Sequence, residues 1–318
     1  MVIKKIFEIE KKPRKGLMAF EWAVMAYMLF TLLLIMIIYT KLQHPGEMLW
    51  GRAQVVISTL ALWGVYRMIP CRLTMMFRVV LQLILLSWWY PDTYEINQVF
   101  PNLDHVFAGY EQQLFHLQPA LVFSQAISNP VFSELMHLGY ASYYPLIALV
   151  TFYYFLYRYQ EFTRVAFIIL ASFMLYYVIF VLLPVTGPQY YYLAAGVDQI
   201  AQGHFPNVGD YFATHSEALT IPGWKDGFFY QCVASAHEAG ERPTAAFPSS
   251  HVGVTTILLL LAWHARNRKL LYTLLPFYVL MCFATVYIQA HYAVDVIGGW
   301  ISAVVIYAVL FFLSKKFV

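Results

Sequence analysis

Ala290-His291-Tyr292-Ala293-Val294-Asp295 stands between two apolar runs, 270 to 289 and 291 to 313, in a stretch without Lys, Arg or Glu. Runs of about 20 apolar residues match a hydrocarbon layer of about 30 Å, so each run reads as a membrane-spanning helix. The hexapeptide is then the junction at one membrane boundary. His291 and Asp295 are four apart, and in a helix both side chains fall on one face, where a carboxylate can hold the imidazole. Such a partner fixes the tautomer and raises the basicity of the far nitrogen, which suits a histidine that attacks or takes a proton. Forty residues before His291, Phe247-Pro248-Ser249-Ser250-His251 opens the preceding apolar run, 249 to 264. Two histidines and an aspartate, each at the end of a span, form one candidate site.

The composition extends this reading to the whole chain. Of 318 residues, 61% are hydrophobic, 18% aromatic and only 12% charged, against about a quarter charged in soluble domains. The fold class expected is an all-α polytopic membrane protein, with membrane lipids as surroundings and no nucleic acid as partner. Net charge is +3, but the placement of charges carries the information. Cys71, Cys232 and Cys282 are an odd number in separate segments, which argues against a disulfide framework. The basic N-terminus does not read as a cleavable signal peptide. Eight spans are expected, at about 20–40, 50–69, 74–91, 134–157, 162–184, 249–264, 270–289 and 291–313. Arg52, Arg67, Arg72 and Arg78 trim the second and third and are expected to snorkel toward the interface.

Basic residues cluster in the N-terminal tail, 67–78, 158–164, 265–270 and Lys315-Lys316, while 92–130 has none and 185–247 only Lys225 and Arg242. Cytoplasmic loops carry the excess of Lys and Arg, so both termini are expected in the cytoplasm. His251, His291 and Asp295 then face the periplasm or an equivalent lumen. The chain divides into a basic tail (1–19), N-terminal spans with an outer aromatic loop (20–130), and a membrane core (131–318) whose outer loop 185–247 caps the site. An interfacial helix is expected over 111–125.

Pro184 to Tyr192, Arg242 to His251 and His291 to Asp295 occupy the outer ends of three spans. The pairing of Pro-Ser-x-His with His-x3-Asp about 40 residues later resembles the type 2 phosphatidic acid phosphatase superfamily over residues 134–313, and is closest to its branch of inositol phosphorylceramide synthases and related lipid head-group transferases. The resemblance implies a core helical bundle of that kind. It makes His291 a nucleophile forming a phosphohistidine, Asp295 its orienting partner and His251 the acid on the leaving oxygen. It gives Ser249, Ser250 and the free N–H groups of the helix start to the phosphoryl oxygens, and the scheme calls for no metal or cofactor. The superfamily's phosphatases carry Lys-x6-Arg-Pro and Ser-Arg-x5-His. Here Ser235 and Thr285 fall where that Lys and the second Arg would be. Arg242-Pro243 lies too near Pro248 for the first motif, whose counterpart is Pro184 to Tyr190, with Gln189 in a slot for a cation.

A phosphomonoester carries nearly two charges and a diester one, so a site poor in cations favours the diester. This points to a membrane enzyme moving a phosphorylated head group from a phospholipid donor to a lipid alcohol such as ceramide or diacylglycerol. Gln189, Tyr190 and Arg242 are further candidates for substrate contact, although the Tyr190–Tyr192 run also suits an aromatic belt. The alternative within this chemistry is a phosphatase acting on a phosphatidic acid-like or polyprenyl phosphate lipid. Two histidines and a carboxylate are also a known metal-ligand set. A proton-coupled transporter is disfavoured, because Leu258–Ala262, Tyr272–Leu275 and Val304–Leu310 supply no acid or base for a relay to the inner face. His137, inside a span, is a third histidine of interest.

Overall fold

A computed structural model describes residues 5–240 and 242–317. Fourteen α-helices account for the architecture of the described residues, with no strand beyond an isolated bridge between Ile9 and Cys71. They are α1 (Ala19–Ile38), α2 (Pro45–Met68), α3 (Arg72–Asn97), α4 (Asp104–Phe115), α5 (Pro119–Ala126), α6 (Pro130–Ala141), α7 (Tyr143–Tyr157) and α8 (Tyr159–Leu182). After these come α9 (Pro188–Ala195), α10 (Val197–Ala201), α11 (Phe228–Gly240), α12 (Ser250–His264), α13 (Arg268–Tyr287) and α14 (Ala293–Phe317). The protein is an all-α integral membrane protein.

Among the described residues, six helices, α1, α2, α3, α8, α13 and α14, are long and apolar enough to cross a bilayer. The expected 134–157 span is instead the pair α6–α7, bent by 47°. At the break, the Ser142 hydroxyl donates to the Gly139 carbonyl at 2.6 Å, a competing bond that Ser and Gly commonly make at kinks. The expected 249–264 span is a 15-residue helix, about 22 Å long at 1.5 Å per residue. α8 is the axis of the bundle, since it contacts α1, α3, α7, α12 and α14 and buries residues on all sides. α1 and α14 turn Leu33, Ile37, Ile301 and Phe312 outward, as spans facing hydrocarbon do.

Two arginines expected to snorkel do not. The Arg52 guanidinium donates to both oxygens of Asp92 at 2.9 and 2.7 Å, joining α2 to α3. Arg78 does the same to Glu21 at 2.8 and 2.5 Å, joining α3 to α1. Both pairs are buried. A charge inside a span is held by an opposite charge on the next helix when one is within reach, which removes the need to reach water.

The outer segment 92–130 also differs from expectation. Its interfacial helix is two helices, α4 and α5, separated where His116 adopts a left-handed φ of 59°. All three cysteines are free.

Candidate active site

The three motif segments are stitched to one another through their backbones. The Ala246 N–H donates to the Val185 carbonyl at 2.9 Å, Gln189 N–H to the Gln289 carbonyl at 3.0 Å, and Ser249 N–H to the Asp295 carbonyl at 3.0 Å. Close approach demands small residues at the seams. A Cβ on Gly187, whose φ is +96°, would lie 2.6 Å from the Ala290 carbonyl oxygen, and one on Gly299 would lie 2.8 Å from that of Ser249. Only glycine fits such contacts, and at Gly187 it also supplies the backbone angle.

This stitching brings His291 Nε2 to 3.4 Å from His251 Nδ1. His291 is not on a helix, contrary to the helical reading of the hexapeptide. It lies in the bend after α13, where Gln289 has a φ of +64°, and Asp295 follows in the first turn of α14. The nearest partner of His291 Nδ1 is the Ala246 carbonyl at 2.8 Å. Asp295 Oδ2 stands farther away, at 3.5 Å, and accepts from the Tyr292 N–H at 2.8 Å. With Nδ1–H given to a carbonyl, Nε2 carries the lone pair. His251 is held between rings, stacked on Tyr140 with centroids 4.5 Å apart and tilted against Tyr143 at 4.3 Å.

Both histidines line a narrow recess of about 20 Å³ with Tyr90, Thr186, Gln189, Tyr190 and Ser250, room for about one water. Among the described residues, no Lys or Arg lines it. The residues expected at the site fall into two sets. His251, His291, Ser250, Gln189 and Tyr190 border the recess. Asp295 stands behind His291, and Ser249 caps α12, its hydroxyl accepting from the Val252 N–H at 3.4 Å. Arg242 is exposed and outside the recess. Gln189 donates its amide to the Leu219 carbonyl at 2.6 Å. Buried Thr285, at the position of the missing arginine, donates back to Cys282 in its own helix. His137 lies outside the recess and holds the Ser133 carbonyl through Nδ1 at 2.7 Å.

The supports of the site come from the outer segment 92–130, where the sequence points only to an interfacial helix over 111–125. Asp104 on α4 accepts from Thr186 N–H at 2.6 Å, Gly187 N–H at 2.8 Å and the Tyr292 hydroxyl at 3.0 Å. Burial raises its carboxyl pKa against the pull of these donors. One helical turn pair later, Glu111 accepts from the Ala293 and Val294 N–H groups at 3.0 Å each, capping α14. Burial pushes this carboxyl up to about 7, although the two donors pull the other way. The available signal was the spacing of seven between two acids in an aromatic, otherwise apolar segment, which places both on one helix face.

The segment that leads into α11 is fastened to α6 in the same manner. Glu134 on α6 accepts from the Phe229 and Tyr230 N–H groups at 2.9 and 3.0 Å at the start of α11, and the Ser133 hydroxyl accepts from Trp224 N–H at 2.8 Å.

The sequence model of the PAP2 superfamily matches residues 107–309, more than half of the chain. The chain belongs to the PAP2 superfamily. The protein is therefore an enzyme of phosphatase or phosphotransferase type, in a superfamily that acts on lipid phosphates in membranes. No curated protein and no solved structure matches the chain. The PAP2 match begins inside α4, so it takes in Glu111, Glu134 and all three motif segments and leaves α1, α2 and α3 outside.

Proposed function

We propose that the enzyme transfers a phosphorylated head group from a phospholipid donor to a lipid alcohol of the ceramide or diacylglycerol kind, as the inositol phosphorylceramide synthase branch does. The observation that carries this reading is the absence of Lys and Arg from the recess around the two facing histidines. A dianionic monoester would lack charge partners there, whereas a monoanionic diester can be held by hydroxyls, amides and the α12 N-terminus.

In this reading His291 Nε2 attacks phosphorus while the P–O bond to the donor's diacylglycerol breaks, and His251 gives that oxygen a proton. The phosphohistidine keeps its Nδ1–H on the Ala246 carbonyl, with the Asp295 carboxylate at 3.5 Å opposing the positive charge of the substituted ring. His251 then takes the proton of the acceptor hydroxyl, that oxygen bonds to phosphorus and the P–N bond breaks. The 3.4 Å contact between the ring nitrogens fills the space a phosphorus atom must occupy, so substrate has to part them.

We place the recess on the periplasmic or luminal side with both termini cytoplasmic. The support is that the basic segments gather at the other end of the bundle, where Arg158 donates to the Ala265 carbonyl at 2.8 Å and His264 packs on Phe311. The test offers purified enzyme in nanodiscs either phosphatidic acid or phosphatidylinositol with ceramide. Head-group exchange with slow phosphate release is expected. Fast phosphate release from phosphatidic acid without exchange would establish the phosphatase reading instead.

A further inference from the structure

The N-terminal segment is attached to the bundle end opposite the histidines. Glu10 accepts from the Tyr66 and Tyr159 hydroxyls at 2.7 and 2.8 Å, its N–H donates to the Pro70 carbonyl at 2.7 Å, and Ile9 bridges to Cys71. Tyr159 opens α8 while Leu182 closes it beside the first motif segment, so about 36 Å of helix separates this attachment from the recess.

The attachment encloses a groove of about 500 Å³ whose rim carries Lys5, Lys11, Lys12, Arg14 and Arg72. Two carboxylates face these five cations, and one of them, Glu10, already holds two tyrosine hydroxyls. Arg72 is fixed over the Tyr159 ring at 4.4 Å. The volume lies in the range of sites for small ligands. An apolar side chain stands at the same rim, since Ile9, 56% exposed, lines the groove, and two residues earlier in the chain Phe7 is 62% exposed. Cations beside exposed apolar side chains, at the ends of two spans, match a membrane surface with its phosphates above and acyl chains below.

We propose that this groove binds the head group of an anionic phospholipid in the leaflet bordering that end, as a site separate from the catalytic recess. The phosphate sits among the lysines and Arg14, and Ile9 and Phe7 lie against the acyl chains. This occupant joins the N-terminal segment to the starts of α3 and α8.

Native mass spectrometry and lipid titration on the full chain in phosphatidylcholine nanodiscs, with phosphatidylglycerol added as probe, test the proposal. Lys5→Gln/Lys11→Gln/Lys12→Gln should weaken phosphatidylglycerol binding by about a hundredfold, each cation near a lipid surface contributing about fivefold. Single substitutions, each expected to lose about fivefold, keep the result readable if the triple variant folds poorly. Arg266→Gln/Arg268→Gln/Lys269→Gln, with three exposed cations at the same bundle end that line no part of this groove, should bind within about twofold of the unaltered chain, as distant independent sites do. Unchanged binding in the first set, or equal loss in both sets, would overturn the proposal. Displacement of the lipid by millimolar inorganic phosphate would overturn it too, by showing a site for the free anion.

Discussion

His291 and Asp295 are bound to different partners, and that separates their expected losses. The proposed phosphohistidine route makes the His291 ring the nucleophile, so His291→Ala should abolish turnover, with the protein still eluting as a folded, helical species. Asp295→Asn leaves the Ala246 carbonyl, at 2.8 Å the closer partner of Nδ1, and removes a charge 3.5 Å away. A fall in kcat of about a hundredfold, with KM nearly unchanged, is expected for the loss of charge stabilisation in the transition state. Equal turnover of Asp295→Asn and the unaltered enzyme would leave the carboxylate a purely structural part of the α14 start. The spacing of His251, His291 and Asp295 was readable because side-chain chemistry and span ends are both written in sequence. The Ala246 carbonyl was not, since every residue has one and only the fold selects which is aimed at a ring.

Helix starts are where this protein uses carboxylates from other elements. Glu134 caps α11 and Glu111 caps α14, neither being near its helix in sequence. Local cap signals cannot reveal such pairs, which is why the segment of α4 reads from sequence as a stretch without cations and, over 111–125, as an interfacial helix. Glu134→Ala should cost about 1–2 kcal/mol locally, seen as faster amide exchange over 221–240 without loss of the other helices. Glu111 has a pH signature. Its folded pKa of about 7 lies above that of the unfolded chain, so between about pH 4.5 and 7 the folded state binds the extra proton and the group's contribution to stability falls as pH rises. That contribution is complete below the unfolded pKa and lost above 7. The melting temperature of the unaltered protein relative to Glu111→Gln should therefore drop from pH 5 to pH 8, and a parallel pair of curves would contradict the assignment.

Across the molecule, hydropathy outlined the spans because length and apolarity are enough to mark them, and it failed where tertiary contacts decide. Arg52 and Arg78 looked like span ends, yet each has an acid on the next helix at hydrogen-bonding distance. Removing one partner leaves a buried charge, so Arg78→Met should destabilise the N-terminal spans by about 3–5 kcal/mol, while Arg78→Met/Glu21→Leu should recover most of the loss. Chemical denaturation in detergent measures both. Failure of the double variant to recover would show that the pair's other contacts carry the effect, Arg78 on the Gly16 carbonyl at 3.2 Å and over the Tyr66 ring at 5.1 Å, and Glu21 on the Met18 N–H at 2.7 Å.

Asp104 lies just ahead of the stretch shared with the superfamily, which begins at residue 107. A fragment trimmed to that border would retain every histidine and serine of the motifs yet lose the single carboxylate that ties Thr186, Gly187 and Tyr292 together. The working unit of this enzyme is thus wider than its family likeness, and a minimal version must begin upstream of α4.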